Sequence, residues 1–302
     1  MVDIPTYADV LAARERTGRA CRVTFNYRYS PPRSQVKDLL MSGEIGEVLS
    51  VDFHWLLNTH HGADYFRRWH SKKENSGGLF VHKSTHHFDL VNWWLGATPV
   101  AVMATGKREF YTAATARRMG LTGPHERCST CPEKAQCGFA LDLAASPSLK
   151  SLYLDQESHD GYFRDRCVFR DDGDIEDTMN ALVTYDTGAT LSYSLNAFNA
   201  WEGYHIAFNG TQGRLEHTIV EQTYANPYPR TIEAVYTFPL SNHAAVDRMM
   251  MIVRSGETEK TIEGEVKERS IARAMYEDAR ESGYVASLLE QERPNIFTQS
   301  VA

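Results

Sequence analysis

The feature of this sequence that most restricts its fold is a pair of apolar alternations at residues 179–197. Every second residue is apolar on both sides of a short Asp-Thr-Gly turn: Ala181, Val183 and Tyr185 before it, and Leu191, Tyr193 and Leu195 after it. Two alternating runs that flank a turn predict an antiparallel hairpin with one buried face. A further apolar run at residues 204–208, followed by the turn NGTQGRLE, continues the pattern. The middle of the chain is therefore predicted to form an antiparallel sheet with helices on one side.

The segments before the hairpin have the patterns of further helices and strands. Helical patterns occur at PTYADVLAARERT, at SPPRSQVKDLLMSG with Ser30 as the cap and proline in the first turn, and at DLVNWWLG, which ends at Gly96. Strand alternation occurs at CRVTFNY and at VLSVDFHWLLN. The last of these helices is apolar around most of its circumference, so we expect it to be buried. The combination predicts an α+β fold.

The composition disfavours several functional classes. The chain has 302 residues, of which 42% are hydrophobic and 24% charged, as in an ordinary globular protein that can bury a sizeable core. A net charge of -7 argues against nucleic acid or an anionic membrane surface as the main partner, and a small neutral substrate fits better. No apolar run approaches the roughly 18 residues of a spanning helix, and MVDIPTYADV lacks the features of a signal peptide. We therefore expect a cytoplasmic location.

The stretch GGLFVHKSTHHFD, residues 77–89, concentrates groups that can move protons. If the chain is helical from His82 onward, His82, His86 and Asp89 share one face, and Lys83 lies on the adjacent stripe. Three interpretations remain open: the start of a structural helix, a metal site of the His-x3-His type, or an acid–base and substrate-binding site. Histidine suits proton transfer because its unperturbed pKa is about 6.5, and a neighbouring lysine can polarise a substrate oxygen.

Just upstream, HHGADYFRRWH is rich in aromatic and charged side chains. Sugars are bound by this mixture, because aromatic faces contact C–H surfaces while charged groups hydrogen-bond to hydroxyls. A surface loop with extended arginines is the alternative. The candidate sugar-binding residues of this segment are Asp64, Arg67, Trp69 and His70.

Cysteines form the third candidate site. Cys128, Cys131 and Cys137 stand in a C-x2-C-x5-C arrangement, and Cys167 follows. Four thiolates can complete a structural zinc tetrahedron, and the C-x2-C pair is the usual first half of one. An iron–sulfur cluster and a set of free thiols are the alternatives.

Four stretches together resemble the substrate half of the Gfo/Idh/MocA oxidoreductases, the family of glucose-fructose oxidoreductase and inositol dehydrogenase. They are FNYRYSP, SGEIGEV, HGADYFRRWH and GGLFVHKSTHHFDLVNWWLG, and the resemblance covers roughly residues 5–220. It implies an α+β domain built on an open, mostly antiparallel sheet with helices packed on one face, next to an N-terminal Rossmann domain for NAD or NADP. It also implies a sugar, a cyclitol or a derivative as substrate, and a homo-oligomer formed through the open sheet.

The resemblance also assigns site residues. The family motif is a glycine pair followed by D-x-G-x-H-x-x-D; its histidine falls on His86 and its last aspartate on Asp89, while His82 and Ser84 replace its first aspartate and its glycine. Lys83 resembles a variant found in some branches, and the cysteine run resembles a branch of the family as well. The catalytic candidates are therefore His86, Lys83 and His82. The substrate-binding candidates are Tyr27, Arg28, Asp64, Arg67, Trp69, His70 and Asp89.

The cofactor motifs of the family are missing from this sequence. No G-x-G-x-x-G occurs anywhere, and the E-K-P motif expected before the first helix is absent. Since the phosphate-binding turn of a dinucleotide domain needs these glycines, we expect the chain to provide no cofactor site and to be inactive alone. A non-catalytic sugar-binding or oligomerisation module with a four-cysteine metal site is the alternative.

We divide the chain into three parts on these grounds. Residues 1–26 are interpreted as a helix and a strand from the edge of a missing dinucleotide-binding domain, and residues 27–236 as the substrate-binding α+β domain. Residues 237–302 form a divergent, charged segment with a polar helix near residues 268–281. This segment is either a genuine tail or the product of a shifted reading frame.

Overall fold

The computed structural model of the chain describes residues 4–221 and, beyond them, 234–239, 246, 249–255, 258–265, 267, 269–284, 286–293 and 296–301. Contacts between Cα atoms divide the chain into a first unit, residues 1–223, and a second unit, residues 224–302. None of the helices in these described ranges combines the length and the apolar composition needed to cross a bilayer.

Helices of the first unit precede the sheet strands or lie between them. Ser30 occupies the position before α2, and prolines fill its first turn, as the sequence predicts. The Ser30 hydroxyl accepts a hydrogen bond from Arg33 Nη1 at 2.8 Å and does not cap the backbone. The α-helices are α1 (Ile4–Thr17), α2 (Pro31–Met41), α3 (Thr59–Arg67), α4 (Lys73–Ser76), α5 (Gly78–His82), α6 (Ser84–Leu95), α7 (Ala113–Arg118), α8 (Pro147–Leu152) and α9 (Glu157–Asp160).

A six-stranded sheet forms the centre of the first unit. Its strands are β1 (Val48–Asn58), β2 (Pro99–Lys107), β3 (Thr178–Tyr185), β4 (Thr190–Asn199), β5 (Glu202–Gly210) and β6 (Arg214–Glu221), in the spatial order β2-β3-β4-β1-β5-β6. The pair β1–β4 is parallel, and the other neighbouring pairs are antiparallel. The hairpin predicted at residues 179–197 is confirmed as β3–β4, and its extension is confirmed as β5–β6.

The core lies on the helix side of this sheet. One row across the strands there runs Ala104, Ala181, Tyr193, Phe53, Ile206 and His217. Phe53, Tyr193 and Ile206 of this row are almost fully buried. Helix α6 packs on this row through His87, whose ring centre lies 5.5 Å from that of Phe53, and Phe88, 4.7 Å from that of Tyr193. It also buries Leu90, Val91 and Trp94. The ring of Trp94 meets that of Phe208 edge-on at 5.5 Å, so the prediction of a buried helix ending at Gly96 is confirmed.

The opposite face of the sheet carries exposed side chains on its outer strands. A neighbouring row on that face runs Met103, Leu182, Ser192, Asp52, Ala207 and Glu216. Met103 is 71% exposed and Leu182 is 57% exposed. The predicted architecture, an open and mostly antiparallel sheet with helices on one face, is therefore the observed one.

The second unit contains strands and one described helix. Strands β7 (Ala234–Pro239), β10 (Ser287–Arg293) and β11 (Ile296–Val301) form a sheet in the order β10-β11-β7, and β8 (Met250–Ser255) pairs with β9 (Thr258–Glu263). Helix α10 (Arg269–Glu281) confirms the predicted polar helix, and it buries Tyr276.

The strand predicted at CRVTFNY is wrong. Residues 18–25 have no regular structure, and Asn26–Tyr29 is a 3-10 helix. Val23, the first apolar residue of the alternation, is 72% exposed. A strand needs a hydrogen-bonded neighbour to be stable, and no described strand pairs with this segment, so the alternation alone does not produce one.

Candidate functional site

The glycine pair sets the position of α5. Gly77 and Gly78 have φ angles of 71° and 74°, in the left-handed region that glycine adopts without steric cost. A Cβ atom on Gly77 would lie 2.6 Å from Cβ of Val81. Helix α4 therefore ends and α5 begins in a turn that a larger residue does not fit.

His82 does not continue the helix that contains His86, so the prediction of one helical face is wrong. His82 is the last residue of α5, and α6 begins at Ser84 with Lys83 as the residue between them. Lys83 N donates to Leu79 O at 3.0 Å and Lys83 O accepts from His86 N at 3.3 Å. The helix is interrupted at Lys83, so His82 and His86 do not belong to one continuous helix.

His82 instead joins an aromatic cluster with the segment after α3. Its ring centre lies 4.3 Å from that of His70 and 5.7 Å from that of Trp69, and the Trp69 and His70 rings stack at 3.8 Å. Burial, His82 and Arg68 lower the pKa of His70 to about 4. Partial burial and the charge of Lys83 lower the pKa of His82 as well. Both imidazoles are therefore uncharged at neutral pH and able to accept a proton.

Lys83 points from the α5–α6 junction toward β1. Its Nζ lies 5.1 Å from the centre of the Trp55 ring. Burial lowers the pKa of Lys83, Glu202 opposes this effect, and Arg33 adds to it. A lysine with a lowered pKa beside an aromatic wall can act as a proton donor and acceptor closer to neutral pH than an exposed one.

Glu202 supplies the carboxylate of this site, and the sequence reading missed it. It begins β5 and accepts hydrogen bonds from His61 Nδ1 at 2.7 Å and from Asn58 N at 3.4 Å. Burial tends to raise the pKa of Glu202, but the His61 hydrogen bond, with further help from Asn58 and Lys83, lowers it overall. The signal was weak, because a lone glutamate at a strand end has no neighbouring motif to mark it.

His86 lies against aromatic rings from the segment before α2. Its ring centre is 5.7 Å from that of Tyr27 and 5.9 Å from that of Phe25. His86 Nδ1 is buried without a hydrogen-bond partner among the described residues. Arg33 stacks on the same Tyr27 ring, with its guanidinium carbon 3.4 Å from the ring centre. The predicted residues Tyr27, His82, Lys83 and His86 thus approach one another and, with Glu202, form what we call the proton site.

Two other predicted binding residues are engaged with each other. Arg28 Nε donates to Asp89 Oδ2 at 2.7 Å, and Arg28 Nη2 donates to the other carboxylate oxygen. Asp89 is 7% exposed, so this ion pair ties the 3-10 helix before α2 to the middle of α6. The neighbouring His87 is a core residue, because it is buried and its Nδ1 lies 2.7 Å from Tyr193 Oη.

Asp64 and Arg67 make contacts with the segment after α7. Arg164 Nη2 donates to Asp64 Oδ2 at 2.7 Å. Arg67 is buried, and it donates to Phe139 O at 2.7 Å and to Cys128 Sγ at 3.4 Å. These contacts support the loop that holds the cysteines. Trp69 and His70, by contrast, contact the His82 ring.

The four cysteines do not form the predicted zinc site. In the described part of the chain, no group of three or more His, Cys, Asp or Glu side chains is arranged to hold a metal ion. Cys128, Cys131, Cys137 and Cys167 are free thiols. Burial is the main cause that raises the pKa of both Cys131 and Cys137, and the charges of the neighbouring cysteines add to this rise.

The fold and the proton site define an α+β domain with an open sheet and a histidine- and lysine-containing site beside β1 and β5. Residues 34–216, more than half of the chain, match the family model described as the GFO/IDH/MocA C-terminal domain. The chain therefore belongs to the GFO/IDH/MocA family through this domain.

The chain is also similar to individual proteins described as oxidoreductases or dehydrogenases. A putative oxidoreductase of Bacillus subtilis, YteT, is 40% identical over 238 residues, which cover 76% of this chain and 56% of YteT. The chain thus spans little more than half the length of that relative. Inositol 2-dehydrogenase of Rhizobium meliloti is 35% identical over 83 residues, 28% of this chain and 23% of that enzyme. A solved structure of a putative myo-inositol dehydrogenase from Sinorhizobium meliloti has a TM-score of 0.44 and 18% identity, and the match covers 77% of this chain and 50% of that one.

The C-terminal part of the chain matches a different family. Residues 209–302 match the model of the vault protein inter-alpha-trypsin domain. The charged segment has this similarity in its present reading frame, which favours a genuine tail over a shifted frame.

The described strands do not form the βαβ unit that holds a dinucleotide in a Rossmann domain. The phosphate-binding site of a dinucleotide domain is a glycine-rich turn between a strand and a helix of a βαβ unit. Among the described strands, the parallel pair β1–β4 is joined by a connection of more than a hundred residues that contains β2 and β3. No G-x-G-x-x-G follows either strand.

Proposed function

We propose that this chain is the substrate-binding part of an NAD(P)-dependent oxidoreductase that acts on a sugar, a cyclitol or a derivative. The observation that carries the proposal is the proton site, where His86, Lys83, His82, Tyr27 and Glu202 lie near the end of β1 and the start of β5. Oxidation of an alcohol removes a proton from the hydroxyl group, and this site concentrates groups that can accept one. The similarity to inositol 2-dehydrogenase supports a polyhydroxylated substrate.

His86 is the proposed acceptor of the hydroxyl proton. Its Nδ1 is without a partner in the described residues, and its ring is oriented by the aromatic rings of Tyr27 and Phe25. Lys83 is proposed to polarise the same substrate oxygen, since its pKa is lowered by burial. His82 replaces the aspartate of the family motif, and Glu202 supplies the negative charge that Lys83 faces.

The nicotinamide dinucleotide is proposed to be held outside the described residues. The chain alone is then inactive and does not bind NADH tightly, because the residues it contributes handle the substrate and its proton. Arg28 and Asp89 are proposed to position α6, and Trp69 and His70 to line the substrate side of His82.

The test is binding of a neutral polyol to the purified chain. We expect myo-inositol or glucose to bind weakly, as measured by ligand-observed NMR, and His86→Ala to weaken this binding by about tenfold, the effect of losing one hydrogen bond in a buried setting. The matched control is His159→Ala, because His159 is an exposed histidine on α9. Equal binding by the two variants, or tight NADH binding by the chain alone, would contradict the proposal.

We also propose that a second copy of the chain docks on the open face of the sheet. Met103 and Leu182 are neighbours across β2 and β3 on that face, and both are exposed. Along the rest of the row lie Ser192, Asp52, Ala207 and Glu216. The exposed apolar part that a second sheet would cover is therefore at Met103 and Leu182.

A further inference from the structure

A basic cavity lies beside the proton site. It has a volume of about 220 Å³ and is lined by Arg67, Arg68, Trp69, Lys72, Tyr162 and Arg166, among others. Ligand pockets for whole small molecules usually measure 300 Å³ or more, roughly. This cavity therefore suits one substituent of a ligand better than an entire sugar.

The charges of the cavity are incompletely neutralised. Arg166 Nη2 lies 2.6 Å from Glu126 Oε1, and Lys72 Nζ lies 3.4 Å from Asp172 Oδ2. Arg67 Nε is 3.8 Å from Asp64 Oδ1. No ion pair joins Arg68 to any described residue, and its Nε is buried without a hydrogen-bond partner there.

A hydroxyl group in the same cavity also lacks a partner. Tyr162 Oη is buried and makes no hydrogen bond within the described ranges. A buried donor that stays unpaired costs about 1–3 kcal/mol. The guanidinium of Arg68 and the hydroxyl of Tyr162 are both donors, and an oxyanion with several lone pairs satisfies both at once.

One side chain belongs both to the lining of the cavity and to the surroundings of the proton site. Trp69 lines the cavity, and its ring centre lies 5.7 Å from that of His82. Arg68 also acts electrostatically on His70 and His82. The cavity therefore adjoins the His82 side of the proton site.

We propose that this cavity binds an anionic substituent of the substrate, a carboxylate or a phosphate, with Arg68 as the main ligand and Tyr162 as a second donor. The inference rests on the proposed function and narrows it to acidic sugars or sugar phosphates. The overall charge of -7 did not indicate this substrate class, because net charge averages over the whole surface and the cavity has its own local excess of arginine.

The experiment compares four probes on the full chain: glucose, glucuronate, glucose 6-phosphate and inorganic phosphate, each titrated and followed by ligand-observed NMR. We expect at least one acidic sugar to bind more tightly than glucose. Arg68→Gln should remove that advantage, a loss of about tenfold or more, since hydrogen bonds to charged groups contribute about 1.5–3 kcal/mol. Comparing glucuronate with glucose 6-phosphate separates a carboxylate from a phosphate ligand.

Two further variants make the result specific. Tyr162→Phe removes a single hydroxyl and should weaken binding of the acidic sugar several-fold while leaving binding of glucose unchanged. It also tests the cavity if Arg68→Gln does not fold. Arg117→Gln is the matched control, because Arg117 is an exposed arginine on α7 and its loss should change no titration.

The outcomes separate the two proposals. Equal affinity for glucose and for both acidic sugars, unchanged in Arg68→Gln and Tyr162→Phe, overturns the anion cavity and leaves the proposed function standing. Phosphate binding that is lost in Arg68→Gln, with no sugar bound by any variant, supports the cavity and overturns the proposed function. Binding of acidic sugars that falls equally in Arg68→Gln and Arg117→Gln also overturns the cavity.

Discussion

At the scale of single residues, the proton site combines groups that the motif identifies with one that it does not. His86 and Lys83 are readable from the sequence because the motif places them at fixed positions after the glycine pair. Glu202 is more than a hundred residues away and reaches the site only because β5 pairs with β1, with Gly203 opposite Leu56. Pairing at this sequence separation cannot be read from local pattern, so a lone carboxylate at a strand end goes unnoticed.

His70 makes the stability of the first unit depend on pH. Its folded pKa of about 4 lies below that of an unfolded histidine, so the unfolded state takes up a proton first as the pH falls. The contribution of His70 to the free energy of unfolding is fully present above about pH 6.5 and is lost as the pH falls toward 4. Between pH 7 and pH 5 this loss is about 2 kcal/mol.

Urea unfolding at pH 7 and pH 5 measures this dependence. All five tryptophans lie between residues 55 and 201, so their fluorescence reports on the first unit. His70→Gln should reduce the difference between the two pH values, whereas His159→Gln, an exposed control, should preserve it. An unchanged pH dependence in His70→Gln would show that His70 does not contribute.

At the scale of elements, the sequence predicted helices α1, α2, α6 and α10 and strands β1 and β3 to β6, but not the other elements or the break between α5 and α6. The hairpin β3–β4 and helix α6 were predictable because their apolar periods are long and end at turn or glycine signals. The break at Lys83 was not, since the residues on both sides favour a helix and nothing in the pattern marks the interruption. The strand predicted at CRVTFNY was wrong for the opposite reason. The alternation is present in the sequence, but no described strand lies beside this segment to pair with it.

Gly77 is the residue that we expect to be least replaceable in this region. Gly77→Ala places a Cβ atom at a φ of 71° and against the Val81 side chain. The left-handed conformation alone costs about 1–2 kcal/mol for a residue with a Cβ. The free energy of unfolding should therefore fall by at least this amount, which urea unfolding measures as a lower midpoint.

The comparison variant is Gly138→Ala, because a Cβ atom there meets nothing within 4 Å and Gly138 does not have a positive φ. Its unfolding midpoint should stay close to that of the parent protein. Equal midpoints for Gly77→Ala and Gly138→Ala would indicate that the turn before α5 relaxes without cost.

At the scale of the whole molecule, the chain joins two units with separate family similarities. The first unit holds the GFO/IDH/MocA match at residues 34–216, and the vault protein inter-alpha-trypsin match begins at residue 209, near the end of the first unit. The charge of the C-terminal segment indicated that it differs in kind from the rest of the chain, but its strands β8 to β11 were not predicted. Charge could not reveal the second similarity either, because composition does not specify a fold.

Association through the open sheet is the prediction that belongs to this scale. We expect the purified chain to sediment as a dimer or larger species, and Leu182→Glu to shift it toward the monomer because a buried, unpaired carboxylate opposes docking. Leu152→Glu is the matched control, since Leu152 is 63% exposed on α8. A monomeric parent chain in analytical ultracentrifugation, or an equal response of both variants, would contradict this prediction.

The parallel pairing of β1 with β4 also governs the order in which this protein can assemble. The register joins Ser50 to Thr190 and Phe53 to Tyr193, so the central pair of the sheet closes a very long segment of chain. Contacts of such high sequence separation slow folding, because the entropy of closing the loop is lost before the contacts form. During synthesis β1 must wait without either of its neighbours until the ribosome has produced residues 190–210. A nascent chain arrested before that point exposes both edges of β1, and it is the stage at which this protein depends most on protection from aggregation.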